Sequence, residues 1–183
     1  MSDTDNANSA DNRPAKLTDR DVRILYLPPM TVAAAHYIGD GPEGPSSEML
    51  HDFIKKTDLA LIYPAARCFG FNHPNPGMRD DGVYGYEFQV TIPDDMEVPA
   101  PLVKKRIEGG RYAAYMILMD EIAGIGWERM FNGWIEGHEK WETNMTPSGE
   151  NMNGLIEEHL DILHWNEDNH LQQVDLLMPV RLK

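Results

Sequence analysis

Residues 84–92 constrain the fold more tightly than any other stretch of this chain. Tyr84, Tyr86, Phe88, Val90 and Ile92 alternate with Gly85, Glu87, Gln89 and Thr91, and a period of two puts the apolar set on one face of a β-strand. Pro93 ends the run, because proline has no amide proton to give to a ladder. Such a strand is stable only within a sheet whose apolar face is covered by another layer, so the flanking segments decide the fold class.

Ahead of it, residues 22–37 are β-prone and interrupted at Pro28-Pro29, which predicts one strand with a break. Ser46 is placed to cap a helix that ends near Thr57 and carries Met49, Leu50, Phe53 and Ile54 at helical spacing. Residues 59–63 and 67–72 read as strand pieces, and 73–83 as a long loop. Beyond Pro93, residues 102–107 and 111–118 read as a hairpin turning at Gly109-Gly110. A helix over 122–137 follows, with Trp127, Met130, Phe131 and Trp134 on one side. Residues 141–153 form a polar loop, and 154–160 and 174–180 the closing strands, separated by an acidic loop over 161–169. The order strand, helix, strand, strand thus occurs twice. Ala33-Ala34-Ala35-His36 and Tyr112-Ala113-Ala114-Tyr115 hold matching places, which points to a structural duplication. Residues 1–20 are polar and predict a disordered tail ahead of one domain over 21–183.

Composition excludes several classes. With 16 Lys plus Arg against 30 Asp plus Glu the net charge is -14, and such a surface repels phosphate backbones and anionic lipid headgroups. The expectation is no direct nucleic-acid partner and no membrane association. Cys68 is the single cysteine, so a disulfide framework and a thiolate zinc knuckle are both excluded, and a cytoplasmic location is expected. No secretory signal and no long apolar span is legible.

Motifs narrow the chemistry further. Gly39-Asp40-Gly41-Pro42-Glu43-Gly44 spells a dinucleotide fingerprint, but two acids and a proline sit where a pyrophosphate needs amide donors, so it reads as a plain loop. Glu157-Glu158-His159 with Asp161, His164 and His170 lacks zinc spacing, and no metal or other cofactor is predicted. Cys68 reads as a half-buried strand residue, and neither a nucleophile elbow nor a Walker A sequence occurs. On a strand, Glu157 and His159 share a face while Glu158 points the other way. From spacing alone Glu157 reads as an ordinary ion-pair partner of Arg111 or Arg129. The rival reading is a carboxylate held against an aromatic wall that includes Tyr86, Tyr115, Trp127 and Trp134.

An ordered set of short motifs resembles the GyrI-like small-molecule-binding domain, the effector-binding domain of AraC-type and MerR-type multidrug regulators. The set comprises Val22-Arg23-Ile24 with Leu27-Pro28-Pro29, Cys68-Phe69-Gly70-Phe71, Tyr86-Glu87-Phe88-Gln89-Val90, Gly109-Gly110-Arg111-Tyr112-Ala113, Trp134-Ile135, Ile156-Glu157-Glu158-His159-Leu160 and the terminal run from Val174. The resemblance implies an α+β fold of two β-α-β-β modules with pseudo-two-fold symmetry, an antiparallel sheet with helices on one side, and a ligand cleft between the modules. It implies that Glu157 is a pocket glutamate meeting amphipathic, cationic small molecules. His159 stands where the family more often has tyrosine. Two alternatives remain open: hydrolysis of reactive small molecules by Glu157 and His159, and a gyrase-inhibitor-like role with a protein partner. Transcriptional control would need a separate DNA-binding chain, because twenty tail residues cannot encode one.

Overall fold

A computed structural model describes residues 16–118, 123–145, 154–160, 163 and 173–183. Nine strands form one antiparallel system: β1 (Arg23–Leu27), β2 (Met30–Gly39), β3 (Cys68–Asn72), β4 (Tyr84–Thr91), β5 (Val103–Ile107), β6 (Gly110–Leu118), β7 (Trp141–Thr143), β8 (Ile156–His159) and β9 (Gln173–Leu182). The helices are α1 (Glu43–Lys56), α2 (Leu59–Ile62) and α3 (Ala123–Glu128), the last continuing as a wider π-helical segment over Arg129–Ile135. Among the described residues no helix is long and apolar enough to cross a membrane.

The strand order is β1-β6-β9-β8-β3-β4-β2-β5, with β7 added to the end of β9. Read from the central β3–β8 pair outward, β3, β4, β2 and β5 on one side match β8, β9, β6 and β1 on the other. The modules are therefore β2-α1-β3-β4 and β6-α3-β8-β9, related by a pseudo-two-fold at that seam. The outermost strands are exchanged: β1 precedes the first module but pairs with β6 of the second, and β5 precedes the second but pairs with β2 of the first.

This exchange corrects two expectations. The break at Pro28-Pro29 separates two strands at opposite ends of the sheet, and Gly109-Gly110 joins strands that do not pair with each other. In the first case pairing with distant partners wins over one continuous strand, and in the second over the local hairpin. Six ladder steps separate β1 from β2, roughly 29 Å in a flat sheet, whereas a two-residue link reaches only about 10 Å. The sheet must curl, and it forms a half-barrel. At the closing corner a Cβ on Gly109 would lie 2.1 Å from the Leu27 carbonyl oxygen, so the two short links rest on each other's backbone.

Both helices cover the same face. Leu50, Phe53 and Ile54 of α1 pack on Ala33, Ala35, Phe88 and Val90, and Met130 and Trp134 of the π-helical segment pack on Ala113, Ile117, Leu176 and Met178. The opposite face turns into the half-barrel around Leu27, Phe69, Ala114 and Leu177. The alternation in β4 therefore conceals two buried faces: Glu87 and Gln89, polar in pattern, are buried too. Gln89 donates to Glu87 at 2.7 Å, and Lys105 donates to both of its oxygens at 2.7 and 2.8 Å.

Local corrections have local causes. Residues 59–62 are helical because the amides of Ile62 and Tyr63 bond back to Asp58 and Leu59, and only Leu59 is buried. The first helix starts at Glu43, ahead of Ser46, whose hydroxyl lies inside and donates to the Pro42 carbonyl at 2.7 Å. Trp141–Thr143 is a strand because it finds the free end of β9. Within residues 16–20, Leu17 is buried in the second core cluster and Asp19 bonds Trp134 and His138, while Lys16, Thr18 and Arg20 are exposed. The tail expectation for residues 1–15, and the loop expectation for 161–169 apart from Leu163, lie outside the described residues.

Gly109, at φ 68 with backbone oxygens 2.1 and 2.6 Å from an added Cβ, has no room for a side chain. Gly109→Ala is expected to cost at least ~2 kcal/mol, measured as a lower urea midpoint at unchanged m-value. Gly77→Ala, also at positive φ but in open space, is expected to cost about 1 kcal/mol or less.

Candidate functional site

The seam between the modules is built from few residues. Strands β3 and β8 share three register pairs, Cys68 with His159, Phe69 with Glu158 and Gly70 with Glu157. Directly opposed residues share a face, so Cys68, Gly70, Glu157 and His159 look toward the helices while Phe69 and Glu158 look into the half-barrel. Along the row through Glu157 lie Tyr115 of β6, Leu176 of β9, Glu157, Gly70 and Phe88 of β4.

Gly70 makes this arrangement possible. A Cβ there would sit 2.3 Å from the Tyr86 hydroxyl oxygen and 2.9 Å from two of its ring carbons. The bare backbone lets the Tyr86 ring lie across β3, and its hydroxyl donates to Glu157 Oε2 at 2.8 Å. Phe88 packs at 4.8 Å from Tyr86 and meets His159 edge-on at 5.0 Å. The Trp127 indole Nε1 is buried without a formed hydrogen bond, and it favours the ionised form of the same carboxylate.

Burial holds the Glu157 carboxyl above its ordinary pKa, and the nearby charge of Glu43 pushes the same way, against the opposing help of Tyr86 and Trp127. Burial, reinforced by the charge of Glu157, raises the Tyr86 phenol well above its ordinary value. The fully buried acids behave differently from the half-buried Glu157. Glu87 is bonded by Lys105, Glu158 receives both Arg67 Nε and Nη2 at 2.6 Å, and Asp175 receives Arg23 at 2.5 Å. All three face the half-barrel and each has a cation. Among the described residues no ion pair holds Glu157. Of the arginines that spacing offered it, Arg111 lies over the Trp141 ring and Arg129 donates to the Tyr115 hydroxyl at 3.1 Å.

The residues expected at the site are thus partly gathered. Tyr86 and Glu157 are hydrogen-bonded, His159 meets Phe88, which packs on Tyr86, and Trp127 acts on the carboxylate from α3. Tyr115 shares the row but spends its hydroxyl on Arg129. Trp134, seven residues beyond Trp127 and about 10 Å along the helix axis, donates to Asp19 at 3.0 Å and packs on His138 in the second core. Phe88, one of the alternating apolar residues of β4, joins the site, whereas Gly70 and Glu43 carry no apolar periodicity. The signal for Gly70 was legible, since a glycine inside an apolar strand marks a close approach.

Cys68 is fully buried, and burial with the charge of Glu158 pushes its thiol pKa far up, which makes it a core residue and not a nucleophile. Among the described residues no group of three or more His, Cys, Asp or Glu could hold a metal; Asp161, His164 and His170 lie outside them. A surface depression of about 830 Å³ runs along α1 past Tyr37, Glu48, His51 and Lys55, and its lining acids are not buried.

Comparison with known proteins agrees with this fold. The family model described as Cass2, integron-associated effector binding protein, matches residues 23–180. The EcmrR C-terminal domain shares 14% identity and a TM-score of 0.59, over 87% of this chain and 96% of that one. Against the longer chain in the EcmrR–DNA complex, the match spans only 57% of that chain. A structure described as a hydrolase from Listeria innocua shares 14% identity and a TM-score of 0.54, over 93% and 94% of the two chains. Compared with curated proteins, the sequence has no significant match.

A carboxyl whose folded pKa lies above its unfolded value contributes stability below the unfolded value, and loses it as pH rises through the folded one. Glu157 therefore weakens the empty protein at neutral pH. Glu157→Gln is expected to melt at a higher temperature than the wild type at pH 8, with the difference closing near pH 4, as thermal unfolding across pH would record.

Proposed function

The chain belongs to the Cass2 family of integron-associated effector-binding proteins, and on that premise we propose that the β3–β8 seam binds amphipathic, cationic small molecules with Glu157 as their counter-ion. One observation carries this reading: Glu157 is half-buried facing aromatic rings, its carboxyl is raised by burial, and among the described residues it has no protein cation, unlike the fully buried acids. A buried charge without a partner is costly, and a ligand supplying the missing positive charge relieves that cost. A carboxylate at about 4 Å from a positive centre gains about 4 kcal/mol at an effective dielectric near 20, before desolvation. The faces of Tyr86, Phe88 and Trp127 add about 0.5–2 kcal/mol by cation–π contact. Flat, weakly hydrated cations gain both contributions, whereas small hydrated ones lose their water for only one. The net charge of -14 supports assigning this domain no direct nucleic-acid contact.

Titration calorimetry with a rhodamine ester cation and an uncharged isostere tests the assignment. Glu157→Gln is expected to weaken the cation at least tenfold, about 1.4 kcal/mol, and to leave the isostere within threefold; equal cation affinity in the two proteins rejects the role of Glu157. Affinity for the cation should climb as pH rises through the elevated pKa of the empty site and level off above it. Turnover of an activated ester, lost in both Glu157→Gln and His159→Ala, would instead assign hydrolysis to the same pair.

A further inference from the structure

Strand β4 presents Tyr84, Tyr86 and Phe88 in a row toward the helices, and its two tyrosines each bond a different carboxylate. Tyr86 donates to Glu157 Oε2 at 2.8 Å. Tyr84 directs its hydroxyl at both oxygens of Glu43, 2.8 and 3.0 Å away. Same-face neighbours on a strand are about 7 Å apart, so one acid from β8 and one from the first turn of α1 are held side by side along a single aromatic strip. Both are half-buried, and among the described residues neither has a cation in ion-pair range.

We propose that the site selects dications, ligands with two positive centres joined by a flat aromatic spacer, one centre meeting Glu157 and the other Glu43. This rests on the reading of the seam as the effector site. An acid in a first helical turn is favoured by the helix dipole, which accounts for tolerance of Glu43 at that position. It does not account for a phenol reaching from the neighbouring strand to orient the carboxylate beside a second one. The charge of Glu43 acts on both Glu157 and Tyr86, so the two carboxylates repel each other in the empty site. A monocation neutralises one of them. A dication neutralises both and removes their repulsion, and the tyrosine row supplies the face on which its spacer lies.

The test compares 1,4-bis(trimethylammoniomethyl)benzene with (4-methylbenzyl)trimethylammonium by titration calorimetry on the full chain. The wild type is expected to bind the dication at least tenfold more tightly. In Glu43→Gln that advantage should vanish while the monocation stays within threefold; in Tyr84→Phe, which keeps the charge and loses its orientation, it should fall severalfold. Glu157→Gln should weaken both ligands. Equal affinities in the wild type, or an equal loss of both ligands in Glu43→Gln, overturn the dication assignment alone. Monocation binding that ignores Glu157→Gln, or no binding of either ligand, overturns the effector-site reading as well.

Discussion

Two links of two residues each govern this molecule. Pro28-Pro29 and Glu108-Gly109 join strands that lie at opposite ends of the ladder order, and chains that short force the sheet to bend until its ends approach. Bending puts one face inside a half-barrel and leaves the other to α1 and α3. It also makes β3–β8 the centre of the pseudo-two-fold, so the two modules meet where Gly70 faces Glu157. The candidate site is a consequence of that closure.

The two faces treat charge oppositely. Inside the half-barrel, Glu87, Glu158 and Asp175 are matched one to one by Lys105, Arg67 and Arg23, whose stems reach in from the more exposed rim. Such pairs contribute little net stability, but they allow polar residues to alternate through a strand buried on both sides. On the helix face, Glu157 has a phenol and an indole for company and no cation among the described residues. An isolated carboxylate in that setting raises the energy of the empty protein, a condition tolerated where binding repays it.

The tertiary contacts also separate residues that pattern had grouped. Trp127 and Trp134 share a helical stripe, yet only the first reaches Glu157; the second is committed to Asp19 and His138. Conversely, Gly70 and Glu43 carry no apolar periodicity and escaped a reading based on it, although one makes space for Tyr86 and the other stands beside Glu157 in charge. Residues 59–62 are helical although their four apolar residues hold no resolvable period that separates helix from strand.

The sequence by itself determined the module order, the helix face that packs, the opposition of Glu157 and Glu158 across one strand, and the likeness to effector-binding domains, because these follow from local spacing and ordered motifs. Only the tertiary structure decided which strands pair, that the outer strands are exchanged, that both faces of β4 are buried, and which acids receive a cation. Those outcomes depend on contacts between residues far apart in the chain, and short-range periodicity holds no record of them.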